Sequence, residues 1–114
     1  MNDNFNITNL IKKLIIDFDK YLTNFPNKEI ELKREIMNTS YNMLKITYEA
    51  NTTYNKDKRI DIQEKLVSYI KYLDFLINRC YEKTIINSKR YLKFGENLDY
   101  LLKYINGWIK KTRA

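Results

Sequence analysis

Any chemistry in this chain has to come from carboxylates, one thiol and cations, because its 114 residues include no histidine. Histidine is the commonest general base and metal ligand near neutral pH, and its absence removes most catalytic designs at once. Glu31 and Glu35 stand four apart, a spacing that puts two carboxylates on one helical face, as in half of a bundle metal site. Bundle di-iron sites complete that set with Glu-x-x-His pairs, which cannot be made here. Both glutamates also fall on a polar face, so they read as solvated. Asp17 and Asp19 are two apart and do not face each other on a helix. Cys80 is the only cysteine, which excludes an internal disulfide and a thiolate cluster. It lies in line with Leu73 and Ile77 and reads as a small buried hydrophobe, with a reactive thiol as the alternative. The expectation is a protein that is not an enzyme and has no catalytic residue, no metal and no cofactor.

What remains is binding. The stretch from Asn87 to Lys111 carries Tyr91, Phe94, Leu98, Leu101, Ile105 and Trp108 every three or four residues, with Ser88 placed to cap it. Lys89, Lys93, Lys103, Lys110 and Lys111 fall within roughly 70° of the opposite pole of the same wheel. Such a helix packs on one side and presents cations on the other, as either a solvated face or a seat for a polyanion. Glu96 and Asp99 dilute it. Tyr72, Phe75 and Arg79, with Lys71 beside them, project from the back of the preceding apolar stripe. They can pack within the chain, fill a subunit interface or stack on unpaired bases.

Composition restrains the reading. Asn, Ile, Lys and Tyr number 14, 15, 16 and 10, and all four have AT-rich codons, so coding bias accounts for part of the excess. It does not account for segregation of charge. Residues 1–57 hold 8 basic and 8 acidic side chains, whereas residues 58–114 hold 13 and 6, which places the whole net charge of +7 in the second half. That asymmetry points to an anionic partner. The polar Met1-Asn2-Asp3-Asn4 start has no charged-then-apolar leader pattern, and no run approaches 18 apolar residues. A cytoplasmic protein without membrane contact is expected.

One hundred and fourteen residues suit a single domain, and two glycines and one proline leave little material for turns. Four helical segments are predicted, at about 7–25, 27–53, 58–83 and 88–111. The first carries Ile7, Leu10, Ile11, Leu14, Ile15, Phe18, Tyr21, Leu22 and Phe25, and Pro26 stops it. In the second, Leu32, Ile36, Thr39, Met43, Ile46, Thr47 and Ala50 form one stripe, while Ile30, Met37, Tyr41, Leu44 and Tyr48 form another, centred roughly 150° away. A single core needs an apolar face of about 100° or somewhat more, so the second stripe reads as a seam between subunits. Asn51 to Asp57 reads as a loop. The third segment has Ile62, Leu66, Tyr69, Ile70, Leu73, Leu76, Ile77 and Cys80 on one face. Gly95 and Gly107 inside the fourth helix each cost about 1 kcal/mol relative to Ala, which suggests close approach of another helix there. Four long helices with short links predict an all-α, up-down-up-down four-helix bundle.

Two stretches add a family likeness. Asn24-Phe-Pro-Asn-Lys28 leads into a helix holding Ile36-Met-Asn-Thr-Ser40 and ending Tyr48-Glu-Ala-Asn51, and Tyr91 opens a last helix that closes with Gly107-Trp-Ile-Lys110. Over roughly residues 20–111 the chain resembles the four-helix-bundle family of the accessory variability determinant of diversity-generating retroelements. That family is related to the bundle proteins encoded in intervening sequences of 23S ribosomal RNA genes. The resemblance implies a barrel-shaped homopentamer with a basic surface that binds a reverse transcriptase and its template RNA without itself being catalytic. Gly107 and Trp108 carry over as structural positions only. The reading is therefore a basic, self-associating bundle that serves as a retroelement accessory protein. The alternatives are a structural or protein-interaction oligomer with no nucleic-acid role, and a ribosomal-RNA-associated bundle protein.

Overall fold

The computed structural model describes residues 3–114, with side chains from Asn6 onward. Its helices are α1 (Asp3–Tyr21), α2 (Ile30–Thr52), α3 (Lys56–Glu82) and α4 (Ser88–Arg113), with a single 3-10 turn at Asn27–Glu29 before α2. No strand occurs among the described residues. Each helix packs against its two neighbours in a closed ring, α1 on α2, α2 on α3, α3 on α4 and α4 on α1. The expected all-helical, four-helix architecture is therefore present, and it measures 45 × 23 × 19 Å. Contacts across the seams fix antiparallel neighbours. Phe18 meets Phe94 with ring centroids 5.0 Å apart, the Tyr72 hydroxyl donates to Glu35 Oε1 at 3.0 Å, and Gln63 Nε2 donates to Thr112 Oγ1 at 2.9 Å.

The helix ends differ from expectation in instructive ways. α1 stops at Tyr21, well short of Pro26. Thr23 and Asn24 are weak helix formers, and Phe25 is held out of the helical region by the proline after it. Leu22 and Phe25 still pack on the core, but from a non-helical segment. The expected 51–57 loop contracts to Thr53–Asn55, because Asn55 Oδ1 accepts from Lys58 N at 3.0 Å and starts α3 early. Asn87, and not Ser88, caps α4: its Oδ1 accepts from Arg90 N at 2.8 Å while its own backbone is extended. α3 closes with Ile85 N–H donating to Cys80 C=O at 2.9 Å and Thr84 N–H to Tyr81 C=O at 3.0 Å. That closure needs a left-handed residue, here Thr84 at φ 56°. A β-branched side chain in this region costs about 1–2 kcal/mol where glycine costs nothing.

The core is one continuous cluster to which every helix contributes. It takes Ile7, Ile11, Leu14, Ile15 and Phe18 from α1 and Ile36, Met43, Ile46 and Ala50 from α2. From α3 come Leu66, Ile70, Leu73, Leu76, Ile77 and Cys80, and from α4 Phe94, Leu98, Leu101, Ile105, Trp108 and Ile109. Ser40 and Thr47 are buried in α2 because each hydroxyl donates back to a carbonyl one turn earlier, Ile36 at 2.7 Å and Met43 at 2.8 Å.

The glycine expectation is corrected. A methyl group placed on Gly95 or Gly107 meets nothing within 4 Å, so no helix approaches closely at either point. Both residues have negative φ and sit in regular helix. They are simply entropic weak points, and Gly107→Ala is expected to stabilise the fold by about 0.5–1 kcal/mol. Thermal unfolding followed by circular dichroism checks this; a lower melting temperature for the alanine variant would contradict it.

Candidate nucleic-acid interface

α4 is seated by its apolar face, with Phe94, Leu98, Leu101, Ile105, Trp108 and Ile109 turned into the bundle. The face left outside carries Lys89, Lys93, Lys103, Lys110 and Lys111, and all five are exposed. The structure does not gather them at one point. Lys89 and Lys93 border a depression of about 510 Å³ with Tyr21 and Arg90, on the flank toward α1. Lys110 borders another with Glu64, Val67 and Arg113, on the flank toward α3. The result is a cationic ridge sloping to both sides.

α3 contributes less than its residue types suggest. Lys71 is exposed, and Phe75 is 54% exposed. Tyr72, however, is engaged with Glu35 of α2, and that carboxylate raises its phenol above the ordinary value of 10.0. Arg79 is half-buried and donates to Glu82 of its own helix at 3.1 Å. Tyr72 and Arg79 are thus each held by a carboxylate, and Phe75 is the more exposed of the two rings.

The second stripe of α2 divides. Ile30, Tyr41 and Tyr48 are 47%, 48% and 46% exposed, whereas Met37 and Leu44 pack partly against the chain's own core. Lys12 of α1 lies over the Tyr48 ring at 6.0 Å. One turn further along α1, Ile16 is 63% exposed. Apolar side chains are thus exposed on α1 and α2, as they also are at Phe75 of α3 and Leu92 of α4.

The flank of α4 toward α1 holds groups that the α4 pattern alone does not reveal. The Arg90 guanidinium lies 3.3 Å from the Tyr21 ring centroid and 5.8 Å from that of Phe94, locking the start of α4 to the end of α1. Lys20, with Arg90 adding to it, pulls the Tyr21 phenol below its ordinary value of 10.0. Further along, Lys13 of α1 reaches Tyr100 and Tyr104 of α4 around a shared depression. Neither Tyr100 nor Tyr104 stood out in the sequence, although their spacing of four places them on one face of α4, and Lys13 enters only through the register between two helices.

Carboxylates interrupt this surface at defined places. Asp74 of α3 is raised above its ordinary value of 3.8, first by desolvation and then by Asp99 of α4. A carboxyl that holds its proton better in the fold than in the open chain makes stability fall as pH rises through its range. Asp99→Asn is therefore expected to stabilise slightly at neutral pH, by less than about 0.5 kcal/mol, and to do nothing below about pH 3, where Asp74, raised above 3.8, is protonated and carries no charge to repel. Melting temperatures at the two pH values test this, and an equal gain at both would refute it.

Cys80 is fully buried, and desolvation, with Glu29 adding to it, pushes its thiol up to about 12. It packs as a hydrophobe. Among the described residues no three His, Cys, Asp or Glu side chains gather as metal ligands, and no helix is long and apolar enough to cross a membrane. Comparison with protein-family models, with curated proteins and with solved structures finds no match.

Proposed function

We propose that this protein is a non-catalytic, self-associating accessory subunit of a diversity-generating retroelement, binding template RNA and the reverse transcriptase through a basic surface in the cytoplasm. The observation that carries the RNA reading is the outer face of α4: Lys89, Lys93, Lys103, Lys110 and Lys111 are all exposed on it, in the half of the chain that holds the entire net charge of +7. Counterion release makes such a surface a general seat for phosphates. The retroelement assignment, and the homopentamer that goes with it, rest on the resemblance of the Phe25-Pro26, Glu49-Ala50-Asn51 and Gly107-Trp108-Ile109 stretches. Titration of labelled structured RNA should show sequence-tolerant binding that weakens steeply between about 50 and 200 mM salt. Absence of salt-sensitive binding at the lower value would remove the RNA role. Pull-down of the reverse transcriptase encoded beside the gene tests the other partner.

One observation favours a second reading, an oligomeric protein-interaction scaffold. Ile16, Ile30, Tyr41 and Tyr48 leave apolar surface on the α1–α2 side, and aromatic side chains are enriched at interfaces. Light scattering separates an assembly from the 13.9 kDa monomer. Tyr41→Glu with Tyr48→Glu should dissociate an assembly while preserving helical circular dichroism, since both rings are half outside the bundle.

A further inference from the structure

The depressions between α1 and α4 join into one furrow. Lys93 borders both the depression beside Tyr21 and Arg90 and a second of about 240 Å³ that also contains Lys13, Asn97 and Tyr100. Lys13, Leu10 and Tyr100 in turn border a third, of about 270 Å³, that reaches Asn6 and Tyr104. From Lys89 to Tyr104 the furrow follows fifteen residues of α4, about 22 Å at helical rise. Lys89, Arg90 and Lys93 gather at one end, Lys13 faces Lys93 across the middle, and Tyr100 and Tyr104 line the other end.

We infer that this furrow binds a single unpaired strand of RNA, with phosphates drawn by Lys13, Arg90 and Lys93 and a base stacked at Tyr100 and Tyr104. This rests on the proposed RNA-binding function and names its substrate class. Charge complementarity argues for a polyanion. Lys13, Lys89, Arg90 and Lys93 border the furrow, and Lys20 lies 5.2 Å from the Tyr21 ring at one end of it, against Glu96 in the lining and Asp17 paired with Lys13. The Lys13–Asp17 pair, 3.1 Å apart, leaves the lysine side chain 64% exposed and the aspartate only 19%, so the cation and not the carboxylate faces an incoming strand. The aromatic pair argues for unpaired bases. Tyr100 is 51% exposed and is braced edge-on by Tyr104, with centroids 5.0 Å apart at 71° and hydroxyls 3.2 Å apart. A braced, half-exposed ring offers a stacking platform at little entropic cost, and stacking is available only to a base outside a duplex. Neighbouring helices stand about 8–10 Å apart, so the furrow between them admits one strand edge-on but not an A-form duplex. Its length matches about four nucleotides, the lower end of known single-strand site sizes.

The test uses the full chain with a short labelled single strand and the corresponding duplex, at about 50 mM salt. The single strand should bind at least about tenfold more tightly. Tyr100→Ala with Tyr104→Ala should lower single-strand affinity about 10- to 100-fold, leaving duplex affinity and the salt slope unchanged, because no cation has been removed. Tyr100→Phe with Tyr104→Phe should retain most binding. Should the double alanine variant unfold, crosslinking of wild-type protein to a strand carrying 4-thiouridine decides the matter: adducts on Tyr100, Tyr104 or Lys13 support the site. Adducts confined to Lys103, Lys110 or α3 overturn it while leaving RNA binding in place. Protection of the furrow by a second copy of the chain, without adducts there, overturns it equally. If wild-type protein binds neither probe at low salt, the inference and the RNA-binding function fall together.

Discussion

Exchange of Lys89, Lys93, Lys103 and Lys111 for glutamate is expected to abolish RNA binding while leaving the bundle folded. The four reversals remove eight units of charge and take the formal net charge from +7 to −1. Affinity for structured RNA at low salt should fall by at least about 100-fold, since every lysine withdrawn from a phosphate leaves that phosphate's counterion in place instead of releasing it. The fold should tolerate the change because all four side chains lie outside the core. Substitutions at such sites are usually within about 0.5 kcal/mol of neutral. Lys111 is the costliest of the four. It occupies the last turn of α4, where a cation complements the helix dipole and an anion opposes it, by about 0.3–1 kcal/mol. A drop of a few degrees in melting temperature with near-complete loss of RNA binding is the expected signature. Binding that survives would exonerate α4's outer face and turn attention to Lys71, Arg79 and the α1 side of the furrow.

Phe94→Ala is expected to be among the most damaging single core substitutions, lowering stability by about 3–5 kcal/mol. Phe94 is fully buried, tilted at 59° against the equally buried Phe18. It also lies beneath the Arg90 guanidinium that ties α4 to α1. Removing the ring opens a cavity between the two helices and leaves Phe18 and Arg90 without the surface they pack on. In a chain of this size the loss corresponds to roughly 15 °C in melting temperature. Urea denaturation gives the same quantity independently. A loss below about 1 kcal/mol would mean that α1 closes over the gap, and would show the α1–α4 seam to be more compliant than its packing indicates.

Periodicity carried most of the fold. In α2, Leu32, Ile36, Thr39, Met43, Ile46, Thr47 and Ala50 were expected on one face; the last six are buried, and Leu32 is partly buried against the core. In α4, of the expected Tyr91, Phe94, Leu98, Leu101, Ile105 and Trp108, the last five are buried with Ile109 beside them, and Tyr91 is partly buried. Boundaries were less legible, because they depend on single side-chain bonds. Asn87 and Ser88 are both good cap residues, and only the geometry of the Asn87 side chain decides between them. Gln63 could not have been picked out as buried, since its position reflects one bond to Thr112 across the bundle. For the candidate site, a helical wheel placed the α4 lysines correctly on the outside but could not assign them to flanks. It missed Lys13 and Arg90, whose relevance arises from the pairing of α1 with α4. The second stripe of α2 was legible as surplus to one core, but not its division, in which Met37 and Leu44 pack partly against the core while Ile30, Tyr41 and Tyr48 stay exposed.

Because α1 and α4 are antiparallel neighbours, the start of the first and the end of the last lie at the same end of the bundle. Asn6 and Tyr104 already flank one depression, and Lys56 at the start of α3 donates to the Arg113 carbonyl at 2.8 Å, which places the Thr53–Asn55 turn at that end too. The order in which the helices are strung is thus separable from how they pack. A chain opened at Tyr54, which is 90% exposed, and rejoined by a short flexible linker between the old ends should fold to the same four-helix arrangement. Such a circular permutant would move the point of covalent attachment to the α2–α3 turn, so that fusions could be built there without disturbing the α1–α4 furrow.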